Sequence, residues 1–299
     1  MKIKIAKHIG FCFGVRRAVD IAEDALKGDK GSDFFCIGPL IHNPQQVSRL
    51  SEKGLVTVNN IEDVKPKGTL IIRSHGLLPG LIKTAKRRGN NLIDATCPFV
   101  KKAQNICKRL NENGFSIIVI GDKDHPEVKA LVGFANGQAV VVDKTEDLKR
   151  INLRNKKIGI IAQTTQSRQN FQKLVSTILK KYNGKFNSDR LRIYNTICGD
   201  SATRQTDAEK ISAYCDMVLV VGGRNSANSR RLVKICKACV DKTYHIETAD
   251  DIRLQWFLGG VNCVGITSGA STPDWIIKDV VKRLNQIGRR ILKTKCQTI

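Results

Sequence analysis

A chain of 299 residues with 51 Lys and Arg against 27 Asp and Glu carries a formal charge of +24, and 41% of its residues are hydrophobic. That apolar fraction supplies buried cores, but no apolar run reaches the roughly 18 residues of a membrane span, and the start MKIKIAKHIG lacks the apolar stretch of a secretory signal. A cytoplasmic protein is expected, and ten Cys without short even spacings speak against a secreted disulfide framework.

In chain order, a helical face of Val15, Ala18, Val19, Ala22 and Leu26 follows Cys12, and a β-branched run predicts a strand at Thr69 to Ile72. A second helical face, Val100, Ala103, Cys107 and Leu110, follows Cys97. Strands are then predicted at Ser116 to Ile120, Ile158 to Ala162, Met217 to Val221 and Cys263 to Thr267. Trp275, Ile276, Val280, Val281, Leu284 and Ile287 form the stripe of a closing amphipathic helix. The alternation predicts α/β modules with mainly parallel strands. Each strand ends in a polar, Gly-bearing loop, where open α/β sheets place ligands.

A repeat organises these modules. In GFCFGVRRA, Cys12 is followed by Val15, Arg16, Arg17 and Ala18; in ATCPFVKKA, Cys97 is followed at the same offsets by Val100, Lys101, Lys102 and Ala103. TICGDSATRQ around Cys198 is a looser third copy. A polar loop comes 28 to 30 residues after each Cys, at His42, His125 and Ser226, and a second one later, at His75, Thr164 and Ser271. A period of about 90 residues is too long for a solenoid and suits three small lobes about a pseudo-threefold axis. The expected division is 1–95, 96–193 and 194–281, with a helix end and tail at 282–299.

Most of the thiols are expected as small core hydrophobes. Cys236 and Cys239 form the one C-x-x-C, but they share an apolar helical stripe with Leu232, Val233 and Val240. Cys36, Cys107, Cys215, Cys263 and Cys296 sit in or near apolar runs. Cys12, Cys97 and Cys198 differ, because each has loop neighbours and precedes a helix, whose N-terminus is expected to lower the thiol pKa and favour metal ligation. Three thiolates brought to one axis suit an iron–sulfur cluster or zinc and leave one metal position open; unlinked structural thiols are the third reading.

Three of the five His, namely His42, His75 and His125, occupy the polar loops. With Ser226, Asn228 and Ser271 they offer imidazole, hydroxyl and amide groups suited to a phosphate or diphosphate. Neither G-x-x-x-x-G-K-[ST] nor G-x-G-x-x-G is present, which disfavours ATP or NAD(P) as the direct ligand. Glu127 is the carboxylate of these loops and a candidate proton donor. The cations are dispersed and aromatics make up 5% of the chain, so a solvated basic surface that attracts acidic partners is favoured over a nucleic-acid groove. A nucleic-acid-binding protein and a zinc-binding protein stand as the alternatives.

The segments GFCFGVRRAVDIA, GPLIHNPQQV, RSHG, DATCPFVKKAQ, HPEV, AQTTQS, NTICGDSATRQ, VVGGRNSANSRRL and TSGASTPDW, nine in order along the chain, closely resemble the 4-hydroxy-3-methylbut-2-enyl diphosphate reductases, the last enzymes of the non-mevalonate isoprenoid pathway. The resemblance implies a trefoil of three α/β lobes with mainly parallel sheets around a central 4Fe-4S cluster. Cys12, Cys97 and Cys198 would hold that cluster, with a fourth iron open to substrate and lost on oxidation to 3Fe-4S or beyond. It implies reductive dehydroxylation of an allylic diphosphate to isopentenyl and dimethylallyl diphosphates. It further implies diphosphate contacts from His42, His75, His125, Thr165, Ser226, Ala227, Asn228 and Ser271, with Glu127 and Thr164 at the hydroxyl group. Ferredoxin or flavodoxin is the expected electron donor, and a monomer or weak dimer the expected state. One departure stands out: the family's N-S-S-N-S reads Asn225, Ser226, Ala227, Asn228, Ser229 here, so a hydroxyl is missing. With the chain ending at Ile299, the RNA-binding extension of some relatives is not expected.

Overall fold

The computed structural model describes residues 1–28, 32–151, 157–181 and 189–296; the side chains of 150 and 291–296, Cys296 among them, lie outside the described residues. The strands are β1 (Lys2–Ile5), β2 (Phe34–Ile37), β3 (Leu55–Val58), β4 (Thr69–Ile72), β5 (Asn91–Asp94), β6 (Ser116–Ile120), β7 (Val140–Val142), β8 (Ile158–Ala162), β9 (Leu191–Ile193), β10 (Met217–Val221), β11 (Thr243–Ile246) and β12 (Cys263–Ser268). The helices are α1 (Phe13–Gly28), α2 (Pro44–Glu52), α3 (Pro79–Arg87), α4 (Pro98–Glu112), α5 (Pro126–Phe134), α6 (Arg168–Lys181), α7 (Gly199–Ser212), α8 (Ala227–Lys237) and α9 (Asp274–Cys296). Four of them, α2 to α5, open on Pro, whose fixed φ and missing N–H suit the first helical position.

The strands form three four-stranded sheets with every pairing parallel. Their orders are β3-β2-β4-β5, β7-β6-β8-β9 and β11-β10-β12-β1. These are one topology written three times, with the first strand of the chain standing where β5 and β9 stand in the other two sheets. The chain divides into two compact units. Gly14–Ile41 with Val47–Cys198 holds the first two sheets, and Met1–Phe13, His42–Gln46 and Gly199–Ile299 hold the third.

The inner strands β2, β4, β8 and β10 are buried along their whole length, and β6 and β12 from their second residue on, as parallel strands covered by helices on both faces must be. Behind β6 and β8, the α4 residues Ala103, Ile106, Cys107 and Leu110 pack with Ile117, Val119 and Ile161. On the third sheet, Ile276, Val280, Leu284 and Ile287 of α9 pack on Met217, Leu219, Val264 and Ile266, which accounts for the closing stripe.

Two predicted boundaries change. β1 was placed in the lobe 1–95, but Lys2 pairs with Cys263 and Ile5 with Ile266, so it completes the third sheet. Its Lys-Ile-Lys-Ile pattern is that of a half-exposed edge strand, and the corresponding edge of the first sheet is already filled by β5. The boundary drawn at 282 falls inside α9, which continues unbroken. The C-x-x-C also divides: Cys236 is fully buried on α8, whereas Cys239 lies past the helix end and is exposed.

Candidate active site

Every polar loop singled out in the sequence follows the carboxyl end of an inner strand: His42 after β2, His75 after β4, His125 after β6, Thr164 after β8, Ser226 after β10 and Ser271 after β12. The three cysteines follow the fourth strand of each sheet, and each is held by one backbone bond of the same kind. Cys97 N–H donates to Ser74 O (3.0 Å), Cys198 N–H to Thr164 O (2.9 Å) and Cys12 N–H to Ala270 O (2.9 Å). The accepting carbonyl belongs each time to a second polar loop, so thiol and loop are locked together by main chain, whatever the side chains. None of the described cysteines is in a disulfide.

Cys97 is the N-cap of α4, and its side chain caps nothing. The N–H groups of Phe99 and Val100 nonetheless lie near enough to its sulfur to favour the thiolate. α1 passes so close that a Cβ on Gly14 would overlap Sγ of Cys97, which accounts for glycine there. The helix N-terminus was expected to lower the thiol pKa, and at Cys97 burial outweighs it. Burial pushes the thiol up, and Cys198 and Glu127, near enough to act on it, add to that; the two amides pull it only part of the way back. A positive metal centre is what would hold such a thiol ionised. Three half-buried thiols on main-chain anchors, one of them with two backbone amides nearby, fit a thiolate-held iron–sulfur group.

Glu127 is fully buried in the first turn of α5, and both of its oxygens are taken by one residue. Thr164 N–H donates to Oε1 (2.7 Å) and its hydroxyl to Oε2 (2.8 Å). Those bonds favour the carboxylate, but burial outweighs them and pushes Glu127 up to about 7. It can therefore carry a proton near neutrality and give it up. His125, the N-cap of α5, accepts the Glu127 N–H at Nδ1 (3.2 Å), so its neutral ring presents an Nε2 proton. His75 stands edge-on to it with ring centroids 5.3 Å apart. The Ser74 hydroxyl donates to Leu40 O (3.0 Å) and lies 3.3 Å from Nδ1 of His75, a geometry in which it accepts from that nitrogen. Thr165, half-buried, accepts from Gln163 Nε2 (2.9 Å).

In the other unit, Ser226 is the N-cap of α8 and accepts from Ser229 N–H (3.3 Å). Ala227 opens the helix, and Asn228, one residue on, is buried with Oδ1 accepting from Ser201 (3.2 Å) and Nδ2 without a partner among the described residues. An orphaned buried amide at a helix N-terminus is costly unless an anion takes its proton. The chain crowds this corner: a Cβ on Gly269 would overlap the Ser229 hydroxyl. Ser271 donates to His42 O (2.9 Å), tying that His segment to the loop after β12, and must turn to donate to a ligand. The sequence reading missed the support that Ser201 gives Asn228, although Ser201 lies inside the quoted TICGDSATRQ.

These parts define a class: an α/β enzyme with main-chain-anchored thiols, a buried acid and helix N-termini suited to an anion at the carboxyl ends of parallel strands. The family model described as LytB protein matches residues 3–285, and the chain belongs to that family. A 4-hydroxy-3-methylbut-2-enyl diphosphate reductase of Geobacter sp. (strain M21) is 45% identical over 289 residues, covering 97% of this chain and 99% of the relative. A solved (E)-4-hydroxy-3-methyl-but-2-enyl diphosphate reductase, described as the terminal enzyme of the non-mevalonate pathway, is 40% identical with a TM-score of 0.68, covering 96% of this chain and all of that one. The solved E-1-hydroxy-2-methyl-but-2-enyl-4-diphosphate reductase from Plasmodium falciparum is 28% identical with a TM-score of 0.87, covering 95% of this chain and 87% of its own. No helix among the described residues is long and apolar enough to cross a membrane.

Proposed function

We propose that this chain reduces 4-hydroxy-3-methylbut-2-enyl diphosphate to isopentenyl and dimethylallyl diphosphates on a 4Fe-4S cluster held by Cys12, Cys97 and Cys198. The observation that carries the reading is the threefold recurrence of the thiol-to-loop backbone bond, which ties each candidate ligand to a loop bearing a candidate substrate or proton-donor residue. The net reaction takes two electrons and two protons, removes the allylic hydroxyl as water and leaves the diphosphate intact. When bound, the cluster supplies electrons one at a time and a Lewis-acidic iron.

The protein's own share is binding, orientation and proton delivery. Glu127, protonated as its raised pKa allows, gives the proton at Oε to the departing oxygen, and Thr164 fixes the carboxyl group and re-forms its bonds to the carboxylate. His125 Nε2, His75, His42, Thr165, Ser226, Asn228 and Ser271 donate to the diphosphate. At Ala227 the backbone N–H is the remaining donor. Zinc in place of iron would leave no route for the electrons.

The test is anaerobic purification followed by metal analysis, an absorption spectrum and turnover with a reduced dye. Brown protein with iron and sulfide in equal amounts and both diphosphate products by mass spectrometry is the expected result. Colourless, zinc-loaded protein without product would refute the proposal.

A further inference from the structure

Two electrons per turnover must enter from outside, and the surface beside Cys97 has a form suited to that traffic. A groove of about 710 Å³ runs along the solvent side of α4, lined by Arg17, Lys101, Lys102, Lys108 and Arg109 against the carboxylates of Asp94 and Glu112. Asp94 is occupied by Lys101 (2.6 Å), and Glu112 lies 3.7 Å from Lys108. Lys102 and Arg109 make no ion pair among the described residues, and the Arg17 guanidinium is fixed on Thr96 O (3.2 Å). The positive character continues beyond Arg109 into a second groove of about 380 Å³, where Lys157 and Arg192 face the single lining carboxylate, Asp189.

The groove also touches the proposed ligand's own stretch of chain. Thr96 and Pro98, on either side of Cys97, both line it, and Phe99, 45% exposed, stands next to them in the first turn of α4. An exposed aromatic beside a groove in which cations outnumber carboxylates, two of them without an ion pair among the described residues, suits an electrostatically steered protein contact. Tracking a nucleic-acid strand would call for a series of stacking aromatics.

We propose that this α4 face docks a small acidic protein carrying a one-electron centre, which passes its electron into the site through the Cys97 end of the groove. The inference rests on the reductase reading above. Each docking oxidises one reduced carrier by one electron; two dockings match the two protons taken up and the one water released.

The probe is an acidic plant-type 2Fe-2S ferredoxin, titrated calorimetrically onto the anaerobic holoenzyme at low and high ionic strength. In K102E/R109E the Kd should rise at least ~10-fold at low salt and lose most of its salt dependence. Turnover with the reduced dye and the cluster spectrum should not change. K83E/K86E, an equal charge reversal on exposed positions of α3, should bind ferredoxin like the wild type. K102Q gives a smaller loss in the same direction and serves if the double variant does not fold. Equal affinity for wild type and K102E/R109E, an equal loss in K83E/K86E, or displacement of ferredoxin by RNA would overturn the docking proposal. Failure of dye-driven turnover in the wild type would instead overturn the reductase reading, since the binding titration reads docking separately.

Discussion

Helix α4 carries two cysteines in opposite circumstances. At its N-terminus, Cys97 has the N–H groups of Phe99 and Val100 close by its sulfur and is anchored through its own N–H to Ser74 O. Nearly three turns along, Cys107 is fully buried among Ile106, Leu110 and Leu131, donates to Leu131 O (3.2 Å) and has its thiol pushed up to about 12 by burial. The same side chain on one helix is thus a candidate ligand at the end that meets the strand termini and a core atom at the end that packs on the sheet. What separates them is the supply of backbone donors, which exists only in the first turn.

Replacing each cysteine in turn puts that contrast to its hardest test. Cys97→Ser should abolish iron, sulfide and turnover together, whereas Cys107→Ala should keep the full cluster and spectrum. A cluster surviving in the first or vanishing in the second would break the contrast. Next in size is Glu127→Gln, which should fold and load iron normally but lower kcat by roughly 10² to 10⁴ in single-turnover assays.

The same buried acid predicts a pH effect on stability. Its folded pKa of about 7 stands above the ordinary 4.5. Between those values the folded state keeps a proton that the unfolded state has released, so stability falls as pH rises through that window and levels off above it. Denaturant titrations should show the decline, of the order of 3 kcal/mol, and Glu127→Gln should remove most of it.

Smaller again is the packing cost of Cys107→Ala, about 1 to 3 kcal/mol of unfolding free energy, a loss confined to the core end of α4. Smallest is Ala227→Ser, which restores a hydroxyl at the head of α8. It should lower KM by less than about 10-fold, the equivalent of one hydrogen bond of about 0.5 to 1.5 kcal/mol, and leave kcat unchanged.

The inner strands β4, β6, β8, β10 and β12 were legible in the sequence because burial on both faces demands short, largely apolar runs rich in β-branched residues. β2 escaped although equally buried, since Phe34, Phe35 and Cys36 do not read as such a run. The edge strands escaped for the opposite reason: β1, β5 and β9 are polar or short, and only their pairing makes them strands. The site residues were legible because the repeat set them at matched offsets in polar loops. The pairing of Glu127 with Thr164 was not, since it joins loops after different strands, and neither was the effect of burial on Cys97, which depends on what encloses the sulfur.

The placement of β1 also bears on how the molecule is made. Lys2–Ile5 leaves the ribosome about 260 residues before Cys263–Ile266, the segment it pairs with. At translation speeds of about 5 to 20 residues per second, this strand waits on the order of 10 to 50 s for its neighbour. The first two sheets have all their strands before then; the third has its full set only once β12 emerges. Cys12, whose N–H needs the carbonyl of Ala270, is therefore synthesised before Cys97 and Cys198 and positioned after them.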